Sequence, residues 1–269
     1  MIGLMTMALM AAQAVPYVKN PRNWPTPVMD QVAPAIPPLR KGAVLVLSKT
    51  NGFRDPDQIV AATSAVQEIA REGGRDVFAT ENAAVMNPSD LARFRVVVLN
   101  STSGTIFTEA QRAAFRAWIE QGGGVVLLHG AGGDHRYDWA WYRDTLLGAQ
   151  FIGHTSTPDQ FQQGDIHVEA PDHPAMQGLP KVWQRVEEWY AFDRVPIGAG
   201  TRILETLDEG SYRPAPEQRM GRHPIVWTRC VAKGRAIFSA LGHRAESYAE
   251  PLHRRLIGNA IGWAAGRHC

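Results

Sequence analysis

Val125-Val126-Leu127-Leu128-His129-Gly130-Ala131-Gly132 is the segment from which the architecture follows. Four apolar residues in a row read as a short strand buried on both faces, as in the centre of a parallel sheet. Small residues follow at once, so the chain turns sharply at the strand's carboxyl end with His129 at the tip. A nucleophile elbow has this shape, but with Ser or Cys at its tip. His129 in that place disfavours an acyl-enzyme. It makes the imidazole a candidate acid, base or metal ligand, the alternative being a histidine held by a neighbouring backbone carbonyl.

The same grammar extends to either side. Gly122-Gly123-Gly124 ends a helix expected from Thr108 to about Gln121, with Thr108 and Gln111 at capping-box spacing. Val96-Val97-Val98-Leu99 is a second buried strand, and Ala43-Val44-Leu45-Val46-Leu47 a third. Ile59, Ala62, Val66 and Ile69 recur at helical spacing within a helix expected over Pro56 to Glu72, with Asp55 as cap and Gly73-Gly74 as stop. Asp76 to Thr80 reads as a weaker strand. This alternation implies right-handed crossovers and an α/β domain: a mostly parallel sheet with helices on both faces. Ligands gather at the carboxyl ends of such strands, here Ser48 to Arg54, Asn100 to Gly104, and His129 to Asp134. Strands are also expected at Ile166 to Glu169, Arg202 to Leu204, Ile225 to Trp227 and Ala236 to Ser239. A helix from about Pro251 to Ala265 closes the chain, and Gly210 to Gly221 reads as an exposed loop.

Composition narrows the function classes. The 269 residues carry 28 basic and 26 acidic side chains, a net +2. So small a charge gives no electrostatic reason to propose nucleic acid or an anionic membrane as partner. Cys230 and Cys269 are too few for a four-thiolate zinc site or a disulfide scaffold. No apolar run reaches the roughly 20 residues that span a bilayer. The opening, residues 1–14, resembles a secretory signal cut after Ala12-Gln13-Ala14, which implies a periplasmic or secreted protein; the missing Lys or Arg keeps a cytoplasmic chain as the alternative. Residues 15–40 carry seven prolines and read as an extended arm or tether preceding the domain, 41–269.

Candidate site residues lie on the predicted strand ends and in two aromatic blocks. Asn51, after the first strand, is placed in a pocket wall without the signature of a phosphate loop. Asp134 to Tyr142 interleaves carboxylates with Trp139, Trp141 and Tyr142, a composition suited to sugar rings; the alternative is that these aromatics anchor a helix. In Glu187-Glu188-Trp189-Tyr190, adjacent carboxylates on a strand point to opposite faces, so one at most meets a pocket, and Glu188 is the candidate. His154 follows Phe151-Ile152-Gly153, and His243 follows Leu241-Gly242. His223-Pro224 reads first as a structural turn. No two histidines have the spacing of a helix-borne zinc site.

Together these stretches resemble the ThuA-like family, named for trehalose utilisation. The carriers are VLVLSKTNGFRD, VVVLNSTSG, FRAWIEQGGGVVLLHGAGGDHRYDWAWY, FIGH, DHPAMQGLP, EEWYAF, LETLDEGSY, HPIVW, GRAIFSALGHRAESY and RRLIGNAIGWAAG, in order from about Ala43 to Gly266. The resemblance implies a class I glutamine-amidotransferase-like, flavodoxin-type fold without the amidotransferase cysteine. It implies a carbohydrate partner, disaccharides and keto derivatives above all. His129, Asp134, Trp141, Tyr142, His154, Glu188, Trp189, Tyr190, His223 and His243 match recurrent family positions. Three departures stand out. Asp55 occupies a first-loop position where members often carry His, His129-Gly130-Ala131 replaces a His-Ala-Ala turn, and His135 follows Asp134.

The expectation is therefore an enzyme acting on a sugar, an oxidised keto-glycoside in particular, by elimination, hydrolysis or isomerisation. A ketone acidifies the adjacent C–H, so such work needs a positioned base and acid. Glu188 or His154 is assigned as base, and His129 or His243 as acid or oxyanion stabiliser. A divalent metal held by some of His129, His154 and His243 is the candidate cofactor. Asn51, Asp134, Trp141, Tyr142, Trp189, Tyr190 and His223 are expected to bind substrate. Two alternatives stay open: a non-catalytic domain that binds carbohydrate or a partner, and an assembly module whose arm reaches a neighbouring subunit in a homo-oligomer.

Overall fold

The structure is a computed structural model that describes residues 19–267. The signal-like residues 1–14 lie outside the described residues. The first half alternates as its periodicity predicts: β1 Ala43–Leu47, α1 Pro56–Glu72, β2 Val77–Thr80, the short α2 Pro88–Leu91, β3 Phe94–Asn100, α3 Glu109–Glu120 and β4 Gly124–Leu128. Every residue of β1 and β4 is buried, as uninterrupted apolar runs require. Asp55 caps α1 through the Asp57 and Gln58 amides, and Thr108 with Gln111 closes a capping box on α3.

The second half contributes β5 Phe151–His154, β6 Phe161–Val168, β7 Val182–Glu188, β8 Tyr190–Phe192, β9 Thr201–Leu207, β10 His223–Val231, β11 Gly234–Ser239 and α4 Pro251–Ala264. Nine strands form one sheet in the order β2-β1-β3-β4-β11-β10-β9-β6-β7. The five from β2 to β11 are parallel, and β10, β9, β6 and β7 extend the sheet antiparallel. β1 to β2 steps one way along the sheet and β3 to β4 steps the other. Crossovers of one hand therefore place α1 and α3 on opposite faces. β5 and β8 pair separately, antiparallel, in a two-stranded sheet.

The proline-rich arm is seated on its own domain over residues 19–40. Asn23 exchanges backbone and side-chain hydrogen bonds with Arg54, and Asp30 pairs with Lys49 at 2.9 Å. Val32 and Ile36 meet Asn82 and Arg93 through their carbonyls, and Arg40 pairs with Asp76. Among the described residues, no helix is long and apolar enough to cross a membrane. The expected loop at 210–221 is partly built in: Tyr212 and Pro214 are buried, and Pro216–Gln218 forms a single helical turn.

Candidate functional site

At the carboxyl end of β4 the backbone of His129 takes φ +45°, outside the usual range for a residue with a side chain. Glycines make room for this turn. A Cβ on Gly132 would lie 2.2 Å from the Phe238 ring, and one on Gly130 would lie 3.2 Å from the Ser101 Cα. The turn aims the His129 ring into a cleft of about 630 Å³.

Three further groups converge there from distant parts of the chain. Glu188 arrives on the last residue of β7, His154 on the last of β5, and His243 in the loop after β11. His129 Nδ1 lies 2.8 Å from the Ala240 carbonyl, which can only accept. Nδ1 therefore carries the proton, and Nε2 is left as a lone pair. That Nε2 sits 3.0 Å from His243 Nδ1, 2.9 Å from the Tyr190 hydroxyl and 3.5 Å from Glu188 Oε2. Glu188 Oε2 is 2.9 Å from His243 Nδ1. Its Oε1 takes the Gln160 amide at 2.6 Å and lies 3.1 Å from His154 Nδ1. Asp55 Oδ2 stands 3.7 Å from the far nitrogen of His243.

Burial and charge divide these groups. Burial pulls the His129 imidazole down to about 4, assisted by the neighbouring His243. Burial alone would raise Glu188, but the His243 hydrogen bond and the charges of His129, His243 and His154 outweigh it and hold the carboxyl at about 2. Burial likewise disfavours a charged His243, yet the hydrogen bond and charge of Glu188, with Glu187 and Asp55 behind, lift it above the ordinary histidine value. The favoured arrangement is an ionised Glu188 beside a protonated His243, with a neutral His129 against both. Tyr190 is held far above the usual phenol range, by burial first and Glu188 second, so its hydroxyl stays a donor.

The expected site residues separate cleanly. His129, His154, Glu188, His243 and Tyr190 line one cleft. The others do not line it. Asn51 is occupied by the arm, giving its amide to the Val28 and Thr105 carbonyls and accepting from the Val28 amide. Asp134 folds its own turn by accepting the Gly104 and Arg136 amides. Trp141 packs tilted against Trp139, ring centroids 5.1 Å apart, with Arg116 over its ring. Tyr142 is buried and ties its hydroxyl to the Ala131 carbonyl, bracing the turn that carries His129. Trp189 is core, its indole donating to the Gln162 carbonyl. His223 is buried between the Glu209 carboxylate and the Tyr190 carbonyl. Asp134, Trp141, Tyr142 and Trp189 in these blocks serve packing and turns, while His135, Glu188 and Tyr190 line the cleft.

Four contributors were not legible as site residues in the sequence. Glu187 is fully buried rather than solvated, and its carboxylate accepts the Gly242, His243 and Glu188 amides while pairing with Arg185 at 2.9 Å. Gln160 tethers Glu188, and Asn23 with Trp24 from the arm forms part of the cleft wall. A tryptophan inside a proline-rich segment was the available signal, since a solvated tether has no use for so large an apolar surface.

A parallel sheet with a strained strand-end turn at its centre, and histidine where the nucleophile would stand, defines a class: class I glutamine-amidotransferase-like proteins of flavodoxin type that lack the cysteine. Within that class, residues 43–264 match the ThuA family, described as trehalose utilisation, and the chain belongs to it. Its structure is similar to that of a ThuA-like protein from Bacteroides uniformis, with a TM-score of 0.70 at 23% identity over 86% of this chain and 94% of that one. A ThuA-like protein from Parabacteroides merdae gives 0.64 at 19% identity over 84% and 90%. A cytoplasmic protein from Salmonella typhimurium gives 0.57 at 11% identity over 82% and 99%. These likenesses define the fold. No curated protein matches the chain.

Proposed function

We propose that the protein is a carbohydrate-processing enzyme that works by acid–base chemistry on a keto-glycoside. The observation that carries this reading is the convergence of His129, His154, His243 and Tyr190 around the single carboxylate of Glu188. His154 Nδ1 lies against Glu188 Oε1 and the Thr155 carbonyl, so its proton sits there and the other ring nitrogen is free to accept. A carboxylate behind an imidazole in this way fixes the tautomer and supports the imidazolium that forms. His154 is the base: it takes the proton from the carbon beside the ketone. The electron pair left behind forms a carbon–carbon double bond as the glycosidic C–O bond breaks. His243, protonated beside Glu188, supplies the proton to the departing oxygen, and the Tyr190 hydroxyl donates to developing negative charge.

One feature favours a second reading. His129 Nε2, His243 Nδ1 and Glu188 Oε2 are 2.9 to 3.5 Å apart. A tetrahedral ion with bonds of about 2.0–2.1 Å needs ligand atoms about 3.3 Å apart, and the Ala240 carbonyl orients His129 as a ligand's outer partner does. The donor set thus fits a divalent cation, which would polarise the sugar ketone.

The test is incubation with 3-keto-disaccharides, alongside metal analysis of the purified protein. Glu188→Gln, His154→Ala and His243→Ala are each expected to lower turnover by about 10²–10⁴-fold. Wild-type rates in all three would show that the reaction does not run through these residues, and no turnover by wild type would leave a binding domain without chemistry. Stoichiometric metal, lost together with activity on chelation, would favour the second reading.

A further inference from the structure

Gln160 is turned by its partner so that one end of its amide is fixed and the other is on offer. Its Nε2 donates to Glu188 Oε1 at 2.6 Å. An ionised carboxylate can only accept, so the nitrogen end of the amide faces Glu188 and the oxygen end faces away. Gln160 is exposed and lines the cleft, which presents that oxygen to whatever enters. His154 is arranged in the same way. Its Nδ1 lies 3.1 Å from the same Glu188 Oε1, and its other ring nitrogen is an acceptor. Two acceptors thus stand side by side, both oriented by one carboxylate oxygen.

Their relation is held by the backbone. The Thr155 hydroxyl donates to the Gln160 carbonyl at 2.6 Å and accepts the Trp189 amide at 3.0 Å, and the Thr155 amide donates to the Trp189 carbonyl at 3.0 Å. The loop from 155 to 160 is therefore closed on itself and stitched to the strand end that carries Glu188. Glu188 Oε2 takes no part, since it faces His243 and His129. A protonated His243 or a cation at that oxygen leaves the orientation of Gln160 unchanged. A ligand group that can only accept, placed beside His154, would meet a second lone pair with no hydrogen between them.

We propose that Gln160 sets specificity by accepting a hydroxyl hydrogen from the same ligand carbon that gives up its proton to His154. This rests on the acid–base reading above and adds a residue to it. On a 3-keto sugar that carbon is C2, which carries both the acidic C–H and a hydroxyl. Removing or methylating the hydroxyl at C2 leaves the Gln160 oxygen without a donor, while the ketone and the glycosidic bond stay as they were.

The experiment compares kcat/KM for a 3-keto-disaccharide with that for its analogues deoxygenated or O-methylated at C2 of the keto ring, in wild type, Gln160→Met and Gln160→Ala. Wild type is expected to prefer the parent by about 10–100-fold. Both variants are expected to slow on the parent far more than on the analogues, so that the preference falls at least fivefold. The intrinsic reactivity of each sugar is the same for every enzyme, so the change in preference reads the Gln160 contact alone. A residue that only tethers Glu188 would slow all three sugars alike. An unchanged preference in either variant therefore overturns the proposal while sparing the carbohydrate reading. Wild type that turns over none of the three sugars overturns both.

Discussion

The carboxylate of Glu187 accepts backbone amides from Gly242, His243 and Glu188, and it faces Arg185. Two of those amides belong to the loop that carries His243, the third to the strand end that carries Glu188. One buried side chain therefore sets the spacing between the two members of the ion pair. Removing half of a buried pair leaves the other charge uncompensated, at a cost of about 3–5 kcal/mol. Glu187→Ala is expected to lose stability on that scale in urea unfolding, and any folded fraction should process the sugar more slowly. Equal stability to wild type would show that Arg185 finds another partner. Strand alternation correctly separated Glu187 from Glu188, but a residue facing away from a cleft is not thereby in water. Burial on the far side is a tertiary fact, invisible in the local pattern.

At the scale of elements, α1 joins capping to the site. Asp55 Oδ1 accepts two amides of the first turn, and Oδ2 stands 3.7 Å from His243. Asn caps as well as Asp, whereas Ala costs about 1 kcal/mol. Asp55→Asn should thus keep thermal stability and slow turnover, while Asp55→Ala should lose both. If Asn matches wild type in rate, the charge beside His243 has no part in the reaction. α1 was legible because apolar residues recur at helical spacing between a cap and two glycines, and β1, β3 and β4 because their apolar runs are continuous. β7 was legible only at its Glu187-Glu188 end, because Arg185 points inward where the pattern calls for an apolar residue. β5 and β8 are short strands in a sheet of their own, whose pairing closes only when residues 151 and 192 meet. Of the site, the histidines and Glu188 were readable one by one at strand ends. Their convergence depends on that pairing and on β7.

For the molecule as a whole, a third buried carboxylate links pH to stability. Glu205 is completely buried, with the Trp183 indole as its partner. Burial pushes it up to about 8, against the pull of the Trp183 hydrogen bond and of Arg185. The native state keeps a proton that the unfolded chain releases near pH 4.5. Stability contributed at this position is therefore full below that pH, falls as pH rises towards 8, and stays low above it. The difference amounts to about 5 kcal/mol. Glu205→Gln should remove this slope, gaining on wild type between about pH 5 and pH 8.5 in urea unfolding. Parallel pH profiles would mean that Glu205 is ionised in the native protein.

The seated arm carries a consequence for how the protein comes into being. The arm is synthesised before nearly everything it touches or faces: Phe53 and Arg54 follow within one strand, Asn82 and Arg93 later, His243 close to the end. A chain leaving the ribosome thus holds one wall of its cleft long before the opposite wall exists. Completion of that cleft reports that the whole sheet has formed.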